Sequence, residues 1–106
     1  MLEKHLEKKL FDEVKKMGGI AFKFVSPGNN GVPDRIVILP KGRIYFVEMK
    51  QPKDRRKDEL QAWQQDRIRA RGAKVRKIYT EPELRAFIEE AKHEVQTTRL
   101  PDVYDP

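Results

Sequence analysis

The sequence predicts an α/β domain: a mixed four-stranded sheet flanked by helices, in the order αβββαβα. Three observations carry this. Leu2, Leu6, Leu10, Val14 and Met17 recur at spacings of four and three, the period of an amphipathic helix, which Gly18-Gly19 then stops. Two apolar runs, 34–39 and 44–50, are joined by Pro40-Lys41-Gly42-Arg43, a connection short enough to make them an antiparallel hairpin. A further run over 73–79 follows a helical segment, and a helical crossover returns a strand parallel to the one it left.

The remaining elements follow from local chemistry. Ile20 to Val25 is rich in aromatic and β-branched residues and predicts the first strand. Ser26 to Gly31 (Ser-Pro-Gly-Asn-Asn-Gly) consists of turn formers and is a loop. A polar, basic loop spans 51–57, and a second helix spans 58–71, ended by Gly72. Thr80, with Glu83 three residues later, forms a capping box. It opens a last helix with Leu84, Ile88, Ala91 and Val95 on one face. The domain is expected to span residues 1–96. The last ten, 97–106, carry Pro101 and Pro106 and are expected to be a tail.

A chain of 106 residues holds one modest core, so any site must be built within it. Lys and Arg total 23 against 17 acids, a net charge of +6, with a pI of about 9.7. That balance points to a polyanionic partner, nucleic acid first and an anionic membrane second. The absence of Cys excludes disulfides and thiolate metal sites and fits a cytoplasmic protein. Met1 to His5 is a charged helical start, unlike a signal peptide. No apolar run approaches the roughly 18 residues of a membrane span. The expectation is a soluble protein that stays where it is made.

The third strand carries the first chemical oddity. Ile44, Phe46, Glu48 and Lys50 share one face, and Tyr45, Val47 and Met49 share the other. Both faces are largely apolar, which predicts a central strand covered on both sides. Glu48 and Lys50 then stand where the pattern asks for Val or Ile. Burying an unpaired charge costs several kcal/mol. Either the two pair with each other near the strand end, or that end is exposed, or Glu48 binds a cation and Lys50 faces a phosphate. Asp34 is the second oddity, opening an apolar strand behind Pro33. It is either a turn-forming Asp or half of a site. Asp34 and Glu48 each lie about seven residues from the turn centre, so the hairpin makes them cross-strand neighbours. Two converging carboxylates suit Mg²⁺ or Mn²⁺. His5 and His93 lie at distant helical positions, so zinc is not expected.

Gly31-Val32-Pro33-Asp34, thirteen further residues, then Glu48-Met49-Lys50 resembles the PD-(D/E)XK nuclease signature. More narrowly, the chain resembles the VRR-NUC branch of that superfamily, whose short stand-alone members are often phage-encoded. The resemblance runs from about Glu3 to about Tyr79. It implies a PD-(D/E)XK (restriction-endonuclease-like) core. The branch carries a Glu in the first helix, matched by Glu7 at the edge of the apolar face, with Glu3 as competitor. It also carries a Gln after the Glu-x-Lys strand, matched by Gln61, with Gln64 as the alternative. Each of these has an ordinary surface role as its rival reading. Lys23 matches a basic position and is a candidate phosphate contact.

The activity implied is metal-assisted hydrolysis of DNA phosphodiesters. Asp34, Glu48 and the Met49 carbonyl would hold Mg²⁺ or Mn²⁺, with Glu7 as a further candidate ligand. Lys50 would orient the attacking water or stabilise developing charge, and Gln61 would position Lys50 or the nucleophile. DNA contacts are expected from Lys23, Lys53, Arg55, Arg56 and Lys57. Arg67, Arg69, Arg71, Lys74, Arg76 and Lys77 extend the supply. Likeness of the branch to archaeal Holliday junction resolvases implies a structure-selective endonuclease acting at four-way junctions. Such an enzyme would be a homodimer, joined through the last helix and the tail around Leu100, Val103 and Tyr104. A phage-encoded chain would act in the cytoplasm of the bacterial host. The alternatives are a generic or flap DNA nuclease, a non-catalytic DNA-binding module, and a basic structural protein whose motif is chance.

Overall fold

The first helix, α1 (Leu2–Lys16), buries the stripe its spacing predicts, with Leu6, Leu10 and Val14 all inside. The structure is a computed structural model that describes residues 2–50 and 55–97, with side chains described over 4–50 and 58–96. After α1 come β1 (Ile20–Lys23), β2 (Arg35–Leu39), β3 (Arg43–Glu48), α2 (Arg55–Ala70), β4 (Lys74–Lys77) and α3 (Glu81–Thr97). The element order is the one the sequence predicts. The sheet runs β1-β2-β3-β4, antiparallel at the first two junctions and parallel at β3–β4. No helix among the described residues is long and apolar enough to cross a membrane.

The hairpin turn, Pro40–Gly42, holds two left-handed residues, Lys41 at φ 69° and Gly42 at φ 73°. Lys41 Nζ donates to the Val95 carbonyl at 2.9 Å, tying the turn to α3. The capping box forms as expected. Glu83 N–H donates to Thr80 Oγ1 at 3.3 Å, and Glu83 Oε1 accepts from Thr80 N–H at 3.1 Å.

One sheet face holds the core. Val37 and Leu39 of β2 and Tyr45 and Val47 of β3 pack with Leu6, Leu10 and Val14 of α1 and Leu84, Phe87, Ile88 and Ala91 of α3. The Tyr45 ring meets Phe87 edge-on at 5.0 Å. Helix α2 packs on the other face, at β4, where Val75 is buried.

Two expectations are corrected here. Strand β3 is covered on both sides only toward its C-terminal end, where Glu48 is buried beside Gln61 of α2; toward its start, at Ile44, two of the three helices take the first face and α2 does not reach the second. Across β1, β2 and β3 that second face carries two apolar rows, Ile20, Ile38, Ile44 and Phe22, Ile36, Phe46. Ile20, Phe22 and Ile44 are 52%, 50% and 46% exposed. The last helix, in turn, offers no apolar remainder for a partner, since Leu84, Ile88 and Ala91 are buried in this chain's own core. Leu100, Val103 and Tyr104 lie outside the described residues.

The loop between β1 and β2 is seated on α2 at Gly31. Its φ is +92°, and a Cβ there would lie 2.9 Å from Leu60 Cγ and 3.0 Å from the Leu60 carbonyl. Gly42 has a similar φ, +73°, but open space around it. Gly42→Ala should therefore cost about 1 kcal/mol, the backbone term alone. Gly31→Ala should cost on the order of 2–3 kcal/mol, because strain and a backbone clash combine. Urea denaturation of the two variants checks the difference; equal losses would mean that the loop does not press on α2.

Candidate functional site

Strand register builds the site. Arg35 pairs with Val47, so the next step along the hairpin sets Asp34 against Glu48. The Met49 N–H donates to Asp34 Oδ1 at 2.9 Å, so the Asp34 side chain continues the pairing beyond the last backbone rung. Glu48 is only 1% exposed. From α2, Gln61 Nε2 approaches Glu48 Oε2 at 3.4 Å. Lys50 is exposed just past the strand end. Asp34, Glu48, Lys50 and Gln61 thus line one hollow of about 590 Å³, walled by the loop residues Ser26 and Asn29 to Gly31.

The electrostatics of this hollow are unbalanced. Burial pushes the Glu48 carboxyl up to about 8, and the Asp34 charge adds to the rise. The Lys50 backbone N–H, the Lys50 ammonium and Arg35 pull the other way without cancelling it. Burial, followed by the Glu48 charge, also pushes the nearby Tyr79 hydroxyl up to about 12. Glu48 Oε1 and Asp34 Oδ2 are both buried with no hydrogen-bond donor. Two carboxylates that line one hollow and are incompletely hydrogen-bonded offer hard ligands for a small divalent cation. Among the described residues no three His or acidic side chains form a cage. Mg²⁺ does not need one, since it keeps several waters and takes one or two carboxylates.

Glu7 lies in an adjoining hollow of about 330 Å³ that shares Asp34 and Lys50 with the first. Its carboxylate pairs with the Arg35 guanidinium and has Lys23 Nζ at 3.9 Å. Arg35 Nη1 lies 3.1 Å from Asp34 Oδ2, out of hydrogen-bond alignment, and donates to the Asp34 carbonyl at 2.9 Å. Glu7 therefore reaches Asp34 through Arg35. Sequence reasoning missed Arg35, although a signal existed. On an alternating strand it shares the inward face with Val37 and Leu39, where a guanidinium requires partners.

Other candidates fall elsewhere. Gln64, the alternative to Gln61, donates to the Asn30 carbonyl at 3.2 Å and braces the loop. Lys74 and Arg76 sit beside the Tyr45 ring and pair with Glu94 and Glu90, so they are removed from the supply of phosphate contacts. Arg67, Arg69, Arg71 and Lys77 are exposed, as are His5 and His93. Lys53 and the side chains of Glu3, Arg55, Arg56 and Lys57 lie outside the described residues.

Comparison with known proteins adds to this geometry. No family model matches the chain. A solved structure described as "VRR_NUC domain" superposes with a TM-score of 0.73 at 32% identity, covering 84% of this chain and 96% of that one. A curated protein of Acyrthosiphon pisum secondary endosymbiont phage 1, "Putative nuclease p44", is 64% identical over 50 residues. That match takes in 47% of this chain and 54% of the phage protein, so the chain spans about half the length of the curated relative it matches.

The raised Glu48 carboxyl sets a pH dependence. A group that holds its proton more tightly when folded stabilises fully below its unfolded value, here 4.5, and loses that contribution as pH rises through about 8. The Tm of metal-free protein should fall between those limits. Millimolar Mg²⁺ or Mn²⁺ should raise Tm more at pH 8 than at pH 5, because ligation needs the ionised form. Glu48→Gln, neutral throughout, should flatten the fall and abolish the metal response. Scanning calorimetry with and without chelator reads all three, and a flat wild-type profile would contradict the assignment.

Proposed function

Since the chain belongs to the VRR-NUC family, we propose that it is a Mg²⁺- or Mn²⁺-dependent nuclease that hydrolyses DNA phosphodiester bonds, with four-way junctions as its preferred substrate. The observation that supports this best is the pair of buried, donorless oxygens on Asp34 and Glu48, beside Lys50 at the end of one hairpin. Asp34, Glu48 and the Met49 carbonyl are the proposed ligands, and Glu7 supports them through Arg35. A divalent ion held there would supply Lewis acidity toward the scissile phosphate and toward a bound water. The chain's own groups do the rest. Lys50 places an ammonium where negative charge develops on the phosphate oxygens. Gln61 holds the Glu48 carboxylate in orientation and faces the same hollow. Lys23, Lys53, Arg55, Arg56 and Lys57 contact the DNA backbone, which fixes position and carries little sequence information. Residues 1–96 are the proposed catalytic unit, 97–106 the proposed tail, and the host cell cytoplasm the proposed compartment.

Resolution of a four-way junction takes two cuts related by two-fold symmetry, and one domain has one site. We therefore assign self-association as a C₂ homodimer. The open sheet face around Ile20, Phe22 and Ile44 is its proposed interface, because an apolar patch of this kind marks an interaction surface.

Two outcomes are expected. Glu48→Gln and Asp34→Asn should slow cutting by about a hundredfold or more, as should Lys50→Ala, while DNA binding in chelator survives. Gln61→Ala should cost about tenfold to a hundredfold, as for a group that orients a ligand. Cleavage assays on duplex, flap and four-way DNA with each cation measure this, and a wild-type rate for Glu48→Gln would sink the reading. Preference for flaps or plain duplex would instead favour a flap or generic nuclease. Phe22→Asp should convert a dimer to a folded monomer in light scattering and replace paired nicks by single ones. A wild-type chain that stays monomeric with junction DNA would remove the dimer.

A further inference from the structure

The chain has one tryptophan, Trp63, and it stands 55% exposed on α2. A ring of that size is ordinarily among the more buried side chains. The Arg67 guanidinium lies 4.6 Å from the Trp63 ring centroid, a cation–π pair one helical turn apart. Arg67 is itself held, since its Nη1 donates to Gln64 Oε1 at 3.0 Å. Gln64, only 5% exposed, donates in turn to the Asn30 carbonyl at 3.2 Å. A continuous set of contacts therefore ties the indole to the loop that walls the carboxylate hollow.

Beside this stack is a separate hollow of about 200 Å³, lined by Asn29, Val32, Gln64, Arg67, Ile68 and Arg71. Among the described residues that line it are two guanidinium groups and no carboxylate. Arg71 Nη1 donates to the Arg67 carbonyl at 2.9 Å, one helical turn back. Asn29 and Val32 line both this hollow and the one holding Asp34 and Glu48. One loop is thus the shared wall between the proposed cutting site and a purely cationic groove.

We propose that Trp63 and the Arg67–Arg71 groove form a second nucleic-acid contact, which takes a single-stranded segment of the substrate. Phosphates enter the groove, and an unpaired base stacks on the indole. This rests on the nuclease reading for the identity of the polymer. A base inside a duplex has both faces covered by its neighbours, so an exposed indole selects bases that are splayed out. The contact would favour DNA with bases splayed out of the stack near the cut, at the branch point of a four-way junction as at the foot of a single-stranded arm, whatever the sequence, because every base has a stacking face.

Because Trp63 is the sole tryptophan, its emission reports on this contact directly. The wild-type protein is titrated in chelator with oligothymidylate, a blunt duplex, and a duplex with a single-stranded arm, while labelled-DNA anisotropy records binding. Oligothymidylate and the armed duplex should quench the emission, and the blunt duplex should leave it nearly unchanged. Trp63→Ala should weaken binding of the two quenching ligands by about 5- to 150-fold, the range for one stacked base, and leave the blunt duplex unaffected. Trp63→Phe should recover part of the loss. Arg71→Ala should reduce the salt dependence of oligothymidylate binding. If DNA binds by anisotropy but emission stays constant and Trp63→Ala binds all three ligands as wild type does, the Trp63–Arg67 pair is only a helix brace and this proposal falls alone. If no DNA binds, the nuclease reading falls with it.

Discussion

Everything at the site depends on the register of the β2–β3 hairpin. Asp34 and Glu48 are neighbours because Arg35 faces Val47, and that pairing is set by the turn at Pro40–Gly42. A slip of one residue would send Glu48 to the core face and Val47 to the hollow, since side chains alternate strictly. Both ends of the hairpin are pinned against this. At the turn, Lys41 and Gly42 adopt left-handed conformations, and the Lys41 ammonium bonds the end of α3. At the open end, Asp34 Oδ1 takes the Met49 N–H. The same carboxylate that borders the hollow thus helps to hold the register that puts it there.

The charges around the hairpin end are provided for incompletely. Asp34 has the Met49 N–H and the nearby Arg35, and Glu48 has Gln61 and the Lys50 amide. Each still keeps one buried oxygen without a donor. Arg35 is nearly wholly buried and divides its charge between Glu7 and Asp34, and among the described residues no guanidinium pairs with Glu48. These donors are enough to orient the carboxylates and too few to neutralise them. An arrangement evolved for stability alone would complete the pairing, because an uncompensated buried carboxylate opposes folding. The deficit is one that a divalent ion makes good, and it is why the proposed function rests on these two oxygens more than on the basic surface.

The legible parts of the chain were those governed by spacing along one segment. The Leu6–Leu10–Val14 stripe, the Thr80–Glu83 box and the short turn each state their own structure. The Asp34–Glu48 encounter was legible as well, because a tight hairpin turns sequence distance into spatial distance. What stayed hidden depended on partners from elsewhere in the fold. Alternation on β3 shows two apolar faces but not how many helices are left to cover each, so Ile44 is expected inside and instead stands 46% exposed. Lys74 and Arg76 looked like phosphate contacts until Glu90 and Glu94 of α3 came to lie beside them. Arg35 was passed over within an apolar run, although its inward position required Glu7, roughly 90 Å away along the extended chain, a pairing that only tertiary structure reveals.

Helix α2 explains why the second sheet face stays open. It is held at β4 by packing, at Glu48 through Gln61, and at the β1–β2 loop through Leu60 and Gln64. A helix committed to those three contacts cannot also lie across β1 and β2. Moving it to cover Ile20 and Phe22 would withdraw Gln61 from Glu48 and release the loop from its seat on Leu60. Burial of the apolar face and assembly of the hollow therefore compete for one element, and the hollow has it. The cost is an apolar surface that water does not favour, roughly 25 cal/mol for each Å² left exposed. That cost is relieved only if another surface closes over the face, which is the physical reason to look for the partner on β1–β3 and not on α3.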